Sequence, residues 1–250
     1  MVFIFWVSFT LWCTSLVVIA VPPTKESPQQ LMVPNIVHII ILDKKPLARY
    51  TYLSILTIFH QIDPWTLYIH CIHSPHGEYW SMLMESSYAP RIKERKVLEP
   101  ISIFGKPPPS KLAHKSDIVR MEILQKLGGI YIDTDIIVLR SFDALRNASL
   151  TMAMQTNTNL CNGLILAHRD SPFLKAWMEG FREANFETCW DCHSVVYPSK
   201  LVKNMTNKAD IQILSIESFY DPSFSRGDIH ELFKLNGKKP PRMRPPYIGT

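Results

Sequence analysis

The stretch from His114 to Asp135 constrains this chain more than any other: His114-Lys-Ser-Asp117-Ile-Val-Arg120-Met-Glu-Ile-Leu-Gln-Lys-Leu-Gly128-Gly129-Ile-Tyr-Ile-Asp133-Thr-Asp135. Its first part has helical spacing, Gly128-Gly129 stops the helix, and the apolar run that follows is too short and too β-branched to be anything but a buried strand. A helix from Asp117 to Leu127 runs about 15 Å one way, and a strand from Gly129 to Asp133 returns about 13 Å. Asp133 should therefore lie level with Asp117, while Asp117 and Arg120, three apart, share a helix face. A helix folded back along a buried strand belongs to an α/β sheet.

The rest of the chain repeats that alternation. Ile36 to Leu42 reads as a buried strand, Leu47 to His60 as a helix and Trp65 to Cys71 as a second strand. Ile101 to Phe104 is expected as a short strand before a helix from Lys111 to Leu127. Ile130 to Ile132 then starts a strand that Ile136 to Leu139 continues. Asn162 to Ala167 reads as strand, Ser171 to Arg182 as a helix capped by Ser171 with Pro172 in its first turn, and Ile211 to Ile216 as a last strand. Alternating elements with buried strands predict a mainly parallel sheet with helices on both faces.

Side chains two apart on a strand point the same way, so Asp133 and Asp135 converge on one site if the extended form holds to its end, with Thr134 on the other side. Such acids beside a third carboxylate and one arginine repel unless a cation sits among them. All-oxygen ligation suits Mn²⁺ or Mg²⁺, which keep positions for water or substrate phosphates. The plain alternative is a solvated strand end with an Asp117–Arg120 ion pair. An apolar strand into Asp-x-Asp also opens haloacid-dehalogenase-type phosphatases, but Ile137 stands where that class wants Thr or Val.

At these residues the chain resembles the DXD-motif sugar transferases grouped with glycosyltransferase family 32, which include Golgi α-1,6-mannosyltransferases and α-1,4-galactosyl- and N-acetylglucosaminyltransferases. The resemblance is tightest from His114 to Leu145, looser over Val33 to His73, and includes the Asn162 to Leu174 segment. It implies a GT-A type fold, a UDP- or GDP-sugar donor, a glycan, glycoprotein or glycolipid acceptor, Mn²⁺ (or Mg²⁺), and transfer with retention. It also implies that Asp133 and Asp135 hold the metal and the ribose-diphosphate side of the donor, and that Asp117, Arg120 and Asn162 bind the donor sugar. Many members carry an aromatic residue after the first-strand His; this chain reads His38-Ile-Ile-Ile41-Leu. Many also continue further and add a late His- or Trp-containing segment, whereas this chain offers Asp221, Asp228 and His230. The alternative function is therefore an inert or weak protein of the same fold, acting as a binding partner.

Residues 1–21 carry no charged side chain, and as a helix would span about 31 Å, the thickness of a bilayer core. They are expected to be a signal-anchor, followed by a stem at 22–33, a catalytic domain at 34–237 and a basic, Pro-rich tail at 238–250. With the Golgi anchor that the resemblance implies, the expectation is a single-pass type II Golgi membrane protein with a lumenal domain, or a secreted one if the segment is cleaved. Sequons at Asn147 and Asn204 agree, and an oxidising lumen would pair at least two of Cys71, Cys161, Cys189 and Cys192. Cys189-Trp-Asp-Cys192-His193 matches a c-type haem string, but a disulfide is the simpler expectation. The net charge of +5 is matched by Lys234, Lys238, Lys239, Arg242 and Arg244, so it marks a basic tail and no nucleic-acid-binding face. Arg140 and Arg146 are expected on a solvated face. His70, His73 and His76 are expected to be scattered, solvated or hydrogen-bonded rather than gathered on a metal.

Overall fold

The computed structural model describes residues 31–220 apart from 101 and 108, together with Gly227. Residues 1–21, most of the stem, Asp221, Asp228, His230 and the 238–250 tail lie outside the described residues. Among the described residues no helix is long and apolar enough to cross a membrane.

The elements run β1 (Ile36–Ile41), α1 (Arg49–Gln61), β2 (Thr66–Cys71), α2 (Glu78–Met84), β3 (Ile92–Lys96), α3 (Leu112–Leu127), β4 (Gly129–Ile132), β5 (Leu150–Ala153), β6 (Leu164–Ala167), α4 (Pro172–Gly180), α5 (Tyr197–Asn204), β7 (Ile211–Leu214) and α6 (Ile216–Phe219). They build one sheet of seven strands in the order β3-β2-β1-β4-β6-β5-β7. β1 is parallel to β2 and β4, β2 to β3, and β5 to β7. β6 runs antiparallel to both its neighbours. The sheet is mostly parallel, as expected.

Both faces are covered, and the alternation of strand side chains decides which residue serves which face. Val37, Ile39, Ile130, Ile132, Leu164 and Leu166 point into a core closed by Ile55, Ile58 and Phe59 of α1. Ile40, Tyr131, Ile165 and Ala167 point the opposite way, against Ile118, Met121 and Leu124 of α3 and Phe173 and Trp177 of α4. α4 is capped as its sequence predicts: Ser171 Oγ accepts from the Leu174 amide, with Pro172 in the first turn.

The Gly-Gly stop has a steric cause. Gly128 and Gly129 both have positive φ, +65° and +106°, and a Cβ on Gly129 would come within 2.7 Å of Ile36 Cγ1 and 2.8 Å of His38 Nε2. The chain can therefore reverse from α3 into β4 while pressed against β1. His38 donates from Nε2 to the Gly128 carbonyl (2.9 Å), and its Nδ1 lies 3.0 Å from Nε2 of His70. Because the carbonyl can only accept, Nδ1 of His38 is left as the acceptor for His70 Nε2–H. Burial pushes the His38 pKa from 6.5 down to about 4, against the pull of the carbonyl, and burial together with the charges of His38 and Arg95 takes His70 to about 3. A histidine held below its unfolded value contributes stability that is full above pH 6.5 and lost as pH falls toward 4. His38 alone is expected to cost about 3 kcal/mol over that window. Urea unfolding at pH 7 and pH 4.5 checks it: the drop should shrink in His38→Gln, and an unchanged drop would refute it.

Several expectations are corrected. Of the segment expected as a strand from Ile101 to Phe104, residues 102–104 form none; they contribute an isolated bridge between Ile103 and Lys106, and Ile101 lies outside the described residues. The strand on that side is β3, Ile-Lys-Glu-Arg-Lys, whose last four residues are exposed because it forms the sheet's edge. Ile136 to Leu139 does not continue β4: it runs as irregular chain, with the Val138 amide bound to Thr57 Oγ1 of α1. Arg146 is buried rather than solvated, donating to the Val33 carbonyl (2.8 Å) and to Asp143 (2.7 Å). His70 is hydrogen-bonded, as expected. Cys189 and Cys192 form a disulfide, while Cys71 and Cys161 are free thiols.

Candidate active site

The strand order reverses beside β1. The chain leaves β1 for β2 and β3, then returns through α3 to lay β4 on the other side. In open α/β sheets the crevice outside the strand C-termini at such a point is where ligands bind. Here the C-terminal ends of β1 and β4 meet the N-termini of α1 and α3 around a cavity of about 290 Å³, lined among others by Leu42, Asp43, Lys45, Tyr50, Ser116 and Thr134. Neither helix has a side-chain cap at its N-cap (Ala48, Lys111) or an acid in its first turn. Their free first-turn N–H groups and positive dipole ends make this crevice receptive to an anion.

Asp117, Arg120, Asp133 and Asn162 are brought together beside this cavity. One guanidinium nitrogen, Nη2 of Arg120, lies 3.4 Å from Asp117 Oδ1 and 3.5 Å from Asp133 Oδ1. The helix-and-returning-strand geometry predicted from Asp117 to Asp133 thus holds. Arg120 Nη1 donates to the Asn162 carbonyl (2.6 Å), and the Asn162 amide donates to Asp117 Oδ1 (2.7 Å), which closes a ring of polar contacts. Asp117 and Arg120 are buried, whereas the side chain of Asp133 is 36% exposed.

Asp135 stands apart from these. β4 ends at Ile132, and Thr134 and Asp135 form a turn closed by the Ile136 amide on the Asp133 carbonyl at 3.4 Å. The extended form does not hold to its end, so Thr134 does not point away but lines the cavity. Asp135 is exposed, and no hydrogen bond or ion pair ties it to another described residue. Its negative charge nevertheless reaches Asp133, whose pKa is raised first by burial and further by Asp135, against the pull of Arg120 and the Tyr131 hydroxyl. Burial likewise raises Asp117, against Arg120 and the Asn162 amide. Burial works against the charge of Arg120, but Tyr131, Asp133 and Asp117 outweigh it and hold the guanidinium above its ordinary value.

Sequence reasoning passed over three residues that shape this cluster. Tyr131 donates to Asp133 Oδ1 at 2.5 Å and lies under the Arg120 guanidinium, 4.4 Å from ring centre to Cζ. Its position two residues before Asp133, on the same side of β4, was the available signal. Gly163 leaves room for the carboxylate, since a Cβ there would meet Asp133 Oδ2 at 2.9 Å. Tyr220 brings its hydroxyl to the same spot from the far end of the sheet, and no spacing signals that.

The residues fit a divalent cation. Asp117 and Asp133 share one guanidinium, and Asp135 offers a solvent-facing carboxylate with no competing partner among the described residues. One buried donor of the site, Arg120 Nε, has no hydrogen-bond partner, which suits an oxygen of a bound sugar or phosphate rather than the cation itself. The three-residue group among the described residues whose ligand atoms lie within 4.8 Å of one another is elsewhere, at Cys189, Asp191 and Cys192, where the sulfurs are already bonded to each other. The carboxylates of the Asp-x-Asp turn are of the type that Mn²⁺ and Mg²⁺ take as ligands beside water and phosphate oxygens.

Fold and cluster together define a mostly parallel α/β protein with an Asp-x-Asp turn beside the crevice at its strand C-termini. Residues 74–152 match the family model described as a glycosyltransferase sugar-binding region containing a DXD motif. That match bears out the resemblance carried by His114 to Leu145. Glucan organizing enzyme 1 of Cryptococcus neoformans is 28% identical over 237 residues, 86% of this chain and 61% of that protein. Glycosyltransferase afumC of Aspergillus fumigatus is 29% identical over 143 residues, 52% of this chain and 30% of its own. The chain thus spans less than two thirds of the length of these relatives. Among solved structures, PaToxG glycosyltransferase superposes with a TM-score of 0.50 at 18% identity over 68% of both chains, a likeness of fold.

Proposed function

We propose that this protein is a glycosyltransferase that moves a sugar from a nucleotide-sugar donor to a hydroxyl of a glycan, glycoprotein or glycolipid, with retention of anomeric configuration. One observation carries the proposal: a cavity flanked by two uncapped helix N-termini opens beside the partly buried Asp117–Arg120–Asp133–Asn162 cluster. The nucleoside diphosphate would lie along the cavity with its phosphates toward the helix ends, and the sugar would hydrogen-bond Asp117, Asn162 and Arg120. Asp133 and Asp135 would hold Mn²⁺ or Mg²⁺, which when bound neutralises charge on the departing diphosphate. Arg120 keeps its charge in the buried cluster and so adds a fixed positive field at the bond that breaks. Acceleration then comes from positioning and charge neutralisation, with the acceptor hydroxyl attacking from the face the diphosphate leaves.

We also assign residues 1–21 to a membrane anchor and the domain to the Golgi lumen. The exposure of Asn147 and Asn204 and the Cys189–Cys192 disulfide support an oxidising, glycosylating compartment. A panel of UDP- and GDP-sugars, scored for released nucleoside diphosphate with and without Mn²⁺, tests the activity. Metal-dependent release from one donor is expected. Release from none would favour the inert alternative, and equal release with chelator would refute the metal.

A further inference from the structure

We infer that the Cys189–Cys192 disulfide is a thiol-exchange site that fixes the first turn of α3, so that oxidation of this pair tightens the candidate active site and reduction slackens it. α3 begins at Leu112; Leu112, Ala113 and Ser116 line the cavity, and Asp117 opens the polar cluster. The helix does not cap itself there, since its N-cap Lys111 makes no side-chain cap bond. The disulfide loop holds the turn from outside. His114, 2% exposed, donates from Nε2 to the Trp190 carbonyl (2.9 Å), and its ring centre lies 5.1 Å from that of Trp190 and 5.4 Å from that of Phe186. Lys111 sets its ammonium 5.0 Å from the centre of the Trp190 ring. Trp190 itself is 61% exposed, so burial does little to hold it in place. The bond between its flanking cysteines does that. Beyond the bond the chain is pinned again: the His193 carbonyl accepts from Trp177 Nε1 of α4 (2.8 Å), and the His193 ring accepts from the Asn185 amide (2.9 Å).

A bridge across so short a loop removes little entropy from the unfolded chain, so its effect is local rather than global. Both cysteines are half-buried, within reach of a small thiol. Cys192 opens a helical run in which the π turn Cys192–Val196 passes directly into α5. A thiolate there sits at the positive end of the helix dipole and is the better leaving group. A low-molecular-weight thiolate of the glutathione class attacks Cys189 Sγ, the S–S bond breaks and Cys192 leaves as its thiolate. A second thiol attacks the mixed disulfide and frees Cys189. Two small thiols are thereby oxidised to one small disulfide, and the protein pair takes up two electrons and two protons. Trp190 is then free to move away, which strips the buried His114 N–H of its acceptor and loosens the turn that leads to Asp117.

The test is hydrogen exchange of the full-length protein in buffers of reduced and oxidised glutathione, read at the Lys115 amide, which bonds to the Lys111 carbonyl (3.1 Å) in that first turn. Reduction is expected to speed this exchange about fivefold or more and to raise KM for the nucleotide-sugar by a similar factor. The double variant Cys189→Ser/Cys192→Ser should match the reduced wild type and ignore the glutathione ratio. His114→Phe, which keeps a ring but loses the donor, should speed exchange with the disulfide intact and leave little for reduction to add. It carries the test if the double variant fails to fold. A disulfide that survives reduced glutathione overturns the inference, and so does unchanged exchange on reduction. A double variant that still responds overturns it too, and would assign the response to the free thiol of Cys161 beside Gly163. Only the KM readout rests on the donor function proposed above: turnover of no nucleotide-sugar overturns that function, while exchange at Lys115 still decides the role of the disulfide.

Discussion

Arg120→Ala is expected to destabilise the domain by about 3–5 kcal/mol, because it leaves a buried carboxylate without its counter-charge. Asp117 and Arg120 are buried on one helix face, and the same guanidinium also holds Asp133, the Asn162 carbonyl and the face of Tyr131. Its removal disconnects α3 from the start of β6 and from the end of β4 at once. The deficit has a pH signature. Burial raises Asp117 and Asp133, and without the opposing guanidinium their carboxyls rise further. A carboxyl whose folded pKa exceeds its unfolded value destabilises the fold above the folded pKa, and that penalty is relieved as pH falls through it. The gap between Arg120→Ala and wild type should thus be wide at pH 7 and narrower at pH 5, as read by urea unfolding. A deficit below about 1 kcal/mol at pH 7 would mean that the cluster is held by packing alone. Arg120→Lys should fall between, since an ammonium keeps the charge but not the fork that spans Asp117, Asp133 and Asn162.

Asp135→Asn is expected to have the opposite profile, losing turnover but not stability. The residue is exposed in a turn and unpaired within the protein, so its amide should unfold within about 0.5 kcal/mol of wild type. Metal-dependent release of nucleoside diphosphate should fall by about 10²-fold or more, because the solvent-facing carboxylate is the one free to take a cation. Asp133→Asn should instead damage both properties, since its carboxylate is shared with Arg120 and the Tyr131 hydroxyl. Melts and turnover of the two variants side by side make the check. Wild-type turnover in Asp135→Asn would remove this aspartate from the metal.

The sequence alone determined whatever depends on neighbours a few positions apart. The apolar runs of β1, β2, β4 and β6, the helical spacing of α1 and α3, the Ser171 cap and the Gly128-Gly129 stop are local patterns with local physical causes. Adding two rise-per-residue lengths was enough to bring Asp117 level with Asp133. Tertiary structure decided the rest. β3 carries one buried and four exposed residues, so its strand character comes from pairing with β2 rather than from its own alternation. Ile136 to Leu139 has strand composition but finds no strand to pair with. Arg146 can be buried because the Val33 carbonyl, more than a hundred positions earlier, accepts a hydrogen bond from its Nε–H. Tyr220 reaches Gly163 from the end of the last described element, and the cavity exists only because β1, α1, α3 and the Asp-x-Asp turn converge. Dihedral preference and hydrophobic period are written residue by residue, while a polar group's partner and the space between elements are set by which distant segments the sheet order makes neighbours.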